Sequence, residues 1–536
     1  MRFFNTAGPC FAGQHYMLPP VERLPRAIDL IDRGLYFVVH APRQTGKSTT
    51  LMALAKRLTD EGRYAALHFS CETGKVAGDD HVAGQRAVLR AMRQRAMDEL
   101  PTSLWPPEPW PAYDDAHLLS DGLRTWAQAC PRPLVLLFDE IDALRGDTLV
   151  SVLSQLRDRY VARPQGAAWS VVLCGLRDVR DYKAAGGGDP SRLGTSSPFN
   201  IKVESMRLGD FDADEVAALY RQHTEDTGQP FTDEAVARAF ALTAGQPWLV
   251  NALANEITRK MDIQPPTPIT AEHVEAAKER LILARATHLD SLVARLHEDR
   301  VRRILEPVLA GGYAGEISYD DDVSYVRDLG LIAASRPLRV ANPMYREIIA
   351  RVLSAQVEDA ITPPGARFIG ADGRIDMDLV LRSFAEFWRQ HGEVLTGTLP
   401  YHEVAPQLVL MAYLQSIVNG TGSIDREYGI GRGRIDLCVR WPHPGPGGER
   451  RVQREAIELK VWRDRQADPL AQGTAELDDY LDGLGLDTGV LVIFDRRHDR
   501  PGARATGDEH AGRVPAEVAL SRTTSPRGRP ITLLRA

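Results

Sequence analysis

The sequence predicts an α/β protein with two successive α/β domains. Short apolar runs alternate with helical periodicity from the N-terminus to about residue 202, which is the pattern of a parallel sheet covered by helices. A second alternation of the same kind lies between about residues 376 and 495. The region between them has almost wholly helical spacing. A chain of 536 residues has the length for roughly three or four domains.

Composition and charge narrow the function classes. With 43% hydrophobic and 26% charged residues, the chain lies outside the low-complexity classes. Its five cysteines include no C-x-x-C pair, so neither a zinc cluster nor a disulfide framework is expected. The N-terminus lacks a signal-peptide core and no run approaches the ~18 apolar residues of a membrane span, so we expect a cytoplasmic protein. The net charge of −7 does not favour nucleic acid, and local basic clusters carry little weight alone.

Five short strands are predicted in the first α/β region, with helical patterns filling most of the gaps between them. These strands are Tyr36–His40, Tyr64–Ser70, Leu134–Phe138, Trp169–Leu173 and Phe199–Val203.

The first strand leads directly into a phosphate-binding loop. Ala41–Ser48 reads A-P-R-Q-T-G-K-S and opens the helical pattern of Thr49–Ala55. A strand, a tight turn and a helix N-terminus in this order direct backbone N–H groups at nucleotide phosphates, and the Lys adds a positive charge. Ala41 stands where the pattern usually has Gly, which it can replace if its φ stays negative. The loop therefore predicts binding of ATP or GTP. The expected contacts are Ala41, Arg43, Gln44, Thr45, Gly46, Lys47, Ser48 and Thr49.

The third strand is a continuous apolar run that ends in two carboxylates, Asp139 and Glu140. In P-loop NTPases an acid here holds Mg²⁺ together with the loop Ser, and a following Glu can orient the attacking water. We therefore assign Asp139 and Ser48 to the metal and Glu140 to the water. Asp142 is either a further acid behind the metal site or the N-cap of the helix around 149–153, and we favour the cap.

Two more positions are expected near the nucleotide. Arg177 follows the fourth strand, where AAA-type ATPases place a polar sensor, although a surface salt bridge explains it equally well. Pro247 lies between two predicted helices, where AAA+ and STAND ATPases place a Gly-x-Pro turn against the nucleotide. A helix C-cap followed by a helix-starting Pro would explain the same residues without that function. The helices of this predicted lid are Val216–Tyr220, Ala235–Leu242, Leu249–Ile257 and Val274–Leu281.

Residues 297–360 have the order of a winged helix, with two helical patterns, a short hairpin and a closing helix. Such modules bind DNA or serve as lids within the chain. Acidic side chains in the candidate recognition helix would repel phosphates, so we favour a lid or protein contact over DNA. These acids are Asp320, Asp321, Asp322 and Asp328.

A second set of acids lies in the C-terminal α/β region. Asp436 begins one predicted strand, and Glu458 and Lys460 lie on the next, sharing one face because strand side chains alternate. Two carboxylates are hard oxygen ligands for Mg²⁺, which would polarise a scissile phosphate and acidify a bound water. Lys460 would position or deprotonate that water. Glu403 begins the preceding amphipathic helix and is expected to direct another carboxylate at the metal.

The predicted domains divide the whole chain. They are a P-loop core at 1–207, a helical lid at 208–296, a winged helix at 297–360, a linker at 361–375, a second α/β domain at 376–497 and a mostly disordered tail at 498–536.

As a set, these motifs give the chain a family resemblance. It resembles bacterial AAA-like ATP-binding proteins with a C-terminal PD-(D/E)XK nuclease-like domain. The motifs are His40–Ser48, Phe138–Asp142, Leu173–Asp178, Gly194–Asn200, Gly245–Trp248, Gly433–Asp436 and Glu458–Lys460. The resemblance implies ATP and Mg²⁺ as cofactors. It implies nucleic acid as partner, with DNA favoured over RNA, and leaves a homo-oligomer open. The chain departs from the family at Glu476, where a Gln is usual.

Two functions follow as alternatives. The first is an ATP-regulated, Mg²⁺-dependent nuclease in which nucleotide turnover gates cleavage. The second is a non-cutting STAND-like switch whose C-terminal domain only binds nucleic acid or a protein. An energy-driven motor is the weaker third, with Arg192 as its candidate arginine finger.

Overall fold

A computed structural model describes most of the chain, and its residues group into two compact units. The first comprises Met1–Ala286 with Val323–Ala333, and the second comprises Thr287–Asp322 with Ala334–Ala536. The described residues are 2–108, 115–177, 201, 203–284, 294–309, 321–333, 335, 337–358, 368–398, 404–418, 421–430, 433–445, 449–497 and 518–536. No helix among them is long and apolar enough to span a membrane.

The first unit contains a five-stranded sheet in which all neighbouring strands are parallel, in the order β2-β3-β4-β1-β5. Parallel strands end at the same edge of a sheet, so the loops after β1 and β3 open on one side. The strands are β1 (Phe37–His40), β2 (Ala65–Ser70), β3 (Leu134–Asp139), β4 (Ser170–Gly175) and β5 (Glu204–Arg207).

Helices cover both faces of this sheet. Leu134, Leu136 and Phe138 of β3 pack on one face with α3, α4 and α5, while Val135 and Leu137 pack on the other with α1 and α2. This alternation explains why β3 is apolar throughout. The helices are α1 (Ala27–Asp32), α2 (Lys47–Asp60), α3 (His81–Glu99), α4 (Leu118–Ala129) and α5 (Gly146–Asp158).

Four helices follow the sheet and agree with the pattern of the expected lid. A capping box between Asp212 and Glu215 starts the first of them, and Pro247 occupies the first turn of the third. They are α6 (Ala213–Thr227), α7 (Asp233–Thr243), α8 (Pro247–Lys260) and α9 (Ala271–Leu283).

Two local predictions in the first unit were wrong. The fifth strand is Glu204–Arg207 and starts with the pair Phe37–Glu204, whereas Ile201 and Val203, the described residues of the predicted strand, lie outside it. Asp142 is not the N-cap of α5, since that helix begins at Gly146 and Asp142 lies in a short 3₁₀ turn. Its Oδ1 instead accepts a hydrogen bond from Leu176 N at 3.3 Å.

The predicted winged helix is only partly represented. Among the described residues the expected hairpin is reduced to single bridge residues at Ile332 and Val340. The segment Val323–Ala333 groups with the first unit, so one compact module at 297–360 remains a prediction. The helices here are α10 (Asp299–Leu309), α11 (Asp321–Asp328) and α12 (Pro343–Glu358).

The second unit is built on a six-stranded mixed sheet in the order β10-β11-β9-β8-β7-β6. The pairs β6–β7, β7–β8 and β10–β11 are antiparallel, and β9 is parallel to both β8 and β11. The strands are β6 (Ser423–Ile430), β7 (Gly433–Pro444), β8 (Arg450–Trp462), β9 (Gly489–Asp495), β10 (Ala519–Thr524) and β11 (Pro530–Arg535), and the helices are α13 (Met377–Thr398), α14 (Ala405–Val418) and α15 (Leu470–Leu484).

Two segments expected to be irregular are part of this unit. The predicted disordered tail contains β10 and β11, because Ile531 and Leu534 are fully buried against the sheet. The end of the predicted linker is also ordered: Phe368 and Ile375 are buried, and Gln453 bonds both the N–H and the carbonyl of Ile375.

Candidate functional site

The phosphate-binding loop joins β1 to α2, as the motif requires. Gly46 is left-handed at φ +89°, which favours Gly, and a Cβ there would also lie 2.9 Å from Arg23 Nη1. Ala41 is fully buried and is not among the residues with positive φ, so an Ala is tolerated in place of the usual Gly. Of the other expected contacts, Arg43 and Gln44 are exposed.

Lys47 is folded back on the loop. Its Nζ donates to the carbonyls of Ala41 and Pro42 at 2.9 and 2.7 Å. Burial lowers the pKa of the Lys47 ammonium, although Cys174 and Asp139 act in the opposite direction. The ammonium thus lies inside the loop that would surround a phosphate.

Asp139 ends β3 beside the first turn of α2. Ser48 Oγ donates to its Oδ2 at 2.6 Å, and His68 Nε2 lies 3.0 Å from the same oxygen. Burial would raise the pKa of Asp139, but the hydrogen bonds from His68 and Ser48 outweigh it and hold that pKa below the ordinary value. A hydroxyl and an ionised carboxylate in direct contact form a hard oxygen donor set that fits Mg²⁺.

Glu140 follows in a left-handed conformation, with φ of 55°. Such a φ is uncommon outside glycine and is often found at functional sites. Ser70 Oγ donates to Glu140 Oε2 at 2.5 Å. Burial raises the pKa of Glu140, and this hydrogen bond opposes the change. The carboxylate is therefore held beside Asp139 by the neighbouring strand β2.

The loop is also tied to the lid. Arg23 donates to the carbonyls of Thr45 at 2.8 Å and Gly209 at 2.5 Å, and its guanidinium lies over the ring of Phe211. Gln246 Nε2 adds a long contact of 3.4 Å to the Gln44 carbonyl. Two carbonyls of the loop are thus held by residues outside it.

A cavity of about 110 Å³ opens beside the loop and was not predicted from sequence. The N-terminal segment forms one wall and helix α8 the other, joined where Trp248 Nε1 donates to the Thr6 carbonyl at 2.8 Å. Asn251 Oδ1 and Thr50 Oγ1 are buried and have no hydrogen-bond partner among the described residues. Further lining residues are Asn5, Gly46, Thr49 and Pro247.

Arg177 makes a contact that neither interpretation of the sequence anticipated. Its guanidinium lies 3.9 Å from the ring centroid of Tyr325, in a segment that groups with the first unit. Gly330 of the same segment is close to Pro42 of the loop. The sensor role of Arg177 remains a prediction. Arg192 lies outside the described residues.

The second predicted site lies on neighbouring strands of the C-terminal sheet. Leu437 of β7 pairs with Ile457 of β8, which brings Asp436 and Glu458 next to each other across the strands. Leu459 N donates to Asp436 Oδ2 at 2.8 Å. Burial first, and then the charge of Asp436, raise the pKa of Glu458 to about 8, although Lys460 acts in the opposite direction.

Lys460 joins this pair from the same face of β8. Its Nζ lies 2.6 Å from Glu458 Oε1 and 2.5 Å from Glu476 Oε2 on α15. Glu458 Oε2 is buried without a hydrogen-bond partner in the described part of the chain, so it can accept a cation. Glu403 lies outside the described residues, and the described ones contain no cluster of three or more His, Cys, Asp or Glu arranged for a metal.

Comparison with known proteins gives one family match. Residues 31–182 match the family model described as an AAA domain. No curated protein matches the chain.

Solved structures are similar to the chain at low identity. The chain is similar to the Walker-type ATPase PABY2304 of Pyrococcus abyssi (12% identity, TM-score 0.45, covering 65% of this chain and 99% of that one). It is also similar to the RuvB Holliday junction branch migration motor of Thermotoga maritima (14%, 0.34, 61% and 92%) and to Cdc6p of Pyrobaculum aerophilum (11%, 0.37, 65% and 97%). Every one of these TM-scores is below 0.5, so the assignment depends on the family match and the loop geometry. The first unit therefore contains an AAA-like P-loop ATPase domain at residues 31–182.

Proposed function

We propose that this chain is a Mg²⁺-dependent ATPase whose second unit is a PD-(D/E)XK-type nuclease acting on nucleic acid. The observation that carries the nuclease half is the pairing of β7 with β8, which brings Asp436 beside Glu458 with Lys460 on the same face. Hydrophobic packing alone would not require two acids and a lysine in this partly buried position, because unpaired buried charge is costly.

In the ATPase half, Ser48 and Asp139 would hold Mg²⁺, which when bound neutralises charge on the β- and γ-phosphates. Lys47 would exchange its two loop carbonyls for phosphate oxygens, a stronger charge-assisted contact. Glu140 would orient the attacking water from its position next to Asp139. The cavity beside the loop would hold the base between the N-terminal segment and α8.

In the nuclease half, Asp436 and Glu458 would hold Mg²⁺, which when bound acidifies a water and polarises the scissile phosphate. The unpartnered Oε2 of Glu458 is the atom best suited to this ligation. Lys460 would position the water and offset charge in the transition state. We propose DNA as the first substrate to test.

The test is cleavage of single- and double-stranded DNA and RNA by the full chain, with and without ATP, in Mg²⁺ or Mn²⁺. We expect metal-dependent cutting that is lost in Asp436→Ala and in Lys460→Ala. Asp487→Ala, an exposed acid in the loop between α15 and β9, is the matched control and should cut normally. Undiminished cleavage in both site variants would end the nuclease proposal.

One observation favours the second candidate, a nucleotide switch that does not cut. Lys460 is bound by two carboxylates, and one of them is Glu476, where the family resemblance would place a neutral Gln. In that case the C-terminal unit would bind nucleic acid in the same assay without cleaving it in either metal.

A further inference from the structure

Glu476 of α15 has a specific place in the second site. Its Oε2 lies 2.5 Å from Lys460 Nζ, and its Oε1 accepts from Gln472 Nε2 at 2.8 Å, which fixes the carboxylate from the other side. The side chains of Lys460 and Glu476 are 19% and 36% exposed, so water screens this ion pair only in part. Glu476 is thus an oriented partner of Lys460 and not a surface charge that happens to be close.

Glu476 adds one negative charge to the acids around Lys460. Without it, the ammonium of Lys460 would offset the charge of the metal-directed acids alone. A divalent cation would then meet a site with one negative charge fewer, and its attraction would fall accordingly.

We propose that Glu476 is a positioning residue that shares the Lys460 ammonium and so leaves Glu458 able to hold a divalent cation. The inference rests on the proposed nuclease function of the second unit. Glu458 presents one oxygen to Lys460, while the other is buried and has no hydrogen-bond partner in the described part of the chain. Glu476 acts through Lys460 and is not itself a ligand. The extra acid therefore adapts the metal site to its lysine and does not disable it.

Mn²⁺ affinity tests this directly. Calorimetric titration of the nucleotide-free full chain, with Asp139→Asn in every protein to silence the first site, gives the dissociation constant of the second. We expect Glu476→Gln to raise it on the order of tenfold, because a unit charge close to the cation is lost. Adding Lys460→Gln to this variant should restore it to within a few fold of the parent, since the positive charge removed offsets the negative charge lost.

The controls separate this inference from the proposed function. Asp487→Asn removes one negative charge away from the site and should leave Mn²⁺ affinity unchanged, and circular dichroism checks that each variant is folded. If Glu476→Gln binds Mn²⁺ as tightly as the parent, the inference is wrong. If the double variant binds as weakly as Glu476→Gln, Glu476 is a direct ligand and the inference is also wrong. If Asp436→Asn also retains parental affinity, the metal site itself fails, and with it the proposed nuclease.

Discussion

Asn251 is the side chain in the cavity beside the P-loop that can distinguish one base from another. Its Nδ2 donates to the Pro247 carbonyl at 2.8 Å, which fixes the amide and leaves Oδ1 as a buried acceptor without a partner among the described residues. Adenine carries an amino donor at the position where guanine carries a carbonyl acceptor. If the cavity holds the base, as proposed, an unpaired acceptor at this position would favour ATP over GTP.

We expect Asn251→Ala to reduce the preference for ATP over GTP about tenfold, the effect of losing one hydrogen bond in a buried site. Competition of both nucleotides against a fluorescent ATP analogue measures it. Inorganic triphosphate should compete equally well in both proteins, because it does not reach the base cavity. An unchanged ATP to GTP ratio would show that Oδ1 does not contact the base.

At the level of single residues, the sequence predicts the acids at the strand ends but not the side chains that hydrogen-bond to them. The motif predicts Ser48, Asp139 and Glu140, since each has a fixed offset from a strand or the loop. His68 and Ser70 were missed, because their contacts depend on the register that pairs Ser70 with Asp139. A polar alternation in β2 was the only available signal, and any half-exposed strand shows it.

Among the elements, α8 and α9 of the lid are joined through a buried acid. Glu256 is 4% exposed and pairs with Arg280 at 2.7 Å across the two helices and with Lys260 at 2.9 Å along its own. Burial would raise the pKa of Glu256, but the hydrogen bonds from Lys260 and Arg280 outweigh it and hold the pKa below its ordinary value. The pair therefore stabilises the lid only while Glu256 is ionised.

We expect Glu256→Gln to lower the stability of the lid by about 1 kcal/mol at pH 7, a small effect because both basic partners are half exposed. A depressed folded pKa gives stability that is present above the unfolded value of about 4.3 and lost as the pH falls through the folded value. The difference between the two proteins should thus shrink as the pH falls below about 4.3 and vanish once the pH is below the folded pKa of Glu256. Hydrogen exchange in α8 and α9 reports it, with the exposed Glu225→Gln as control. A difference that persists in acid would contradict the ion-pair explanation.

The sequence predicts well those elements whose own pattern of apolar residues shows which of their side chains are buried. β3 is apolar on both faces and was found with an error of one residue. β5 is half-buried throughout and β10 mostly exposed, so neither has a clear hydrophobic pattern. β5 is placed by its ladder to the distant β1, a long-range pairing that a local pattern does not contain. β10 is placed by its hairpin with β11, which itself depends on the pairing of β11 with β9.

For the whole molecule, one chain carries two groups of side chains that each combine two carboxylates with a lysine. The first holds its lysine on loop carbonyls and the second holds it on two carboxylates. In the proposed function, a nucleotide would draw Lys47 from neutral carbonyls, whereas a cation would have to compete for the carboxylates that hold Lys460. We therefore propose the first site as the input and the second as the output.

The proposed coupling is tested by Lys47→Ala in the full chain. Loss of the ammonium should weaken ATP binding about ten- to a hundredfold, as expected for a charge-assisted contact, and should remove the response of DNA cleavage to ATP. Mn²⁺ binding at the second site should not change, because Lys47 takes no part in it. Lys56→Ala, an exposed lysine on the same helix, is the matched control and should respond as the parent does. If ATP changes DNA cleavage by Lys47→Ala as much as it does in the parent, the proposed coupling is wrong. The two activities would then be independent of each other.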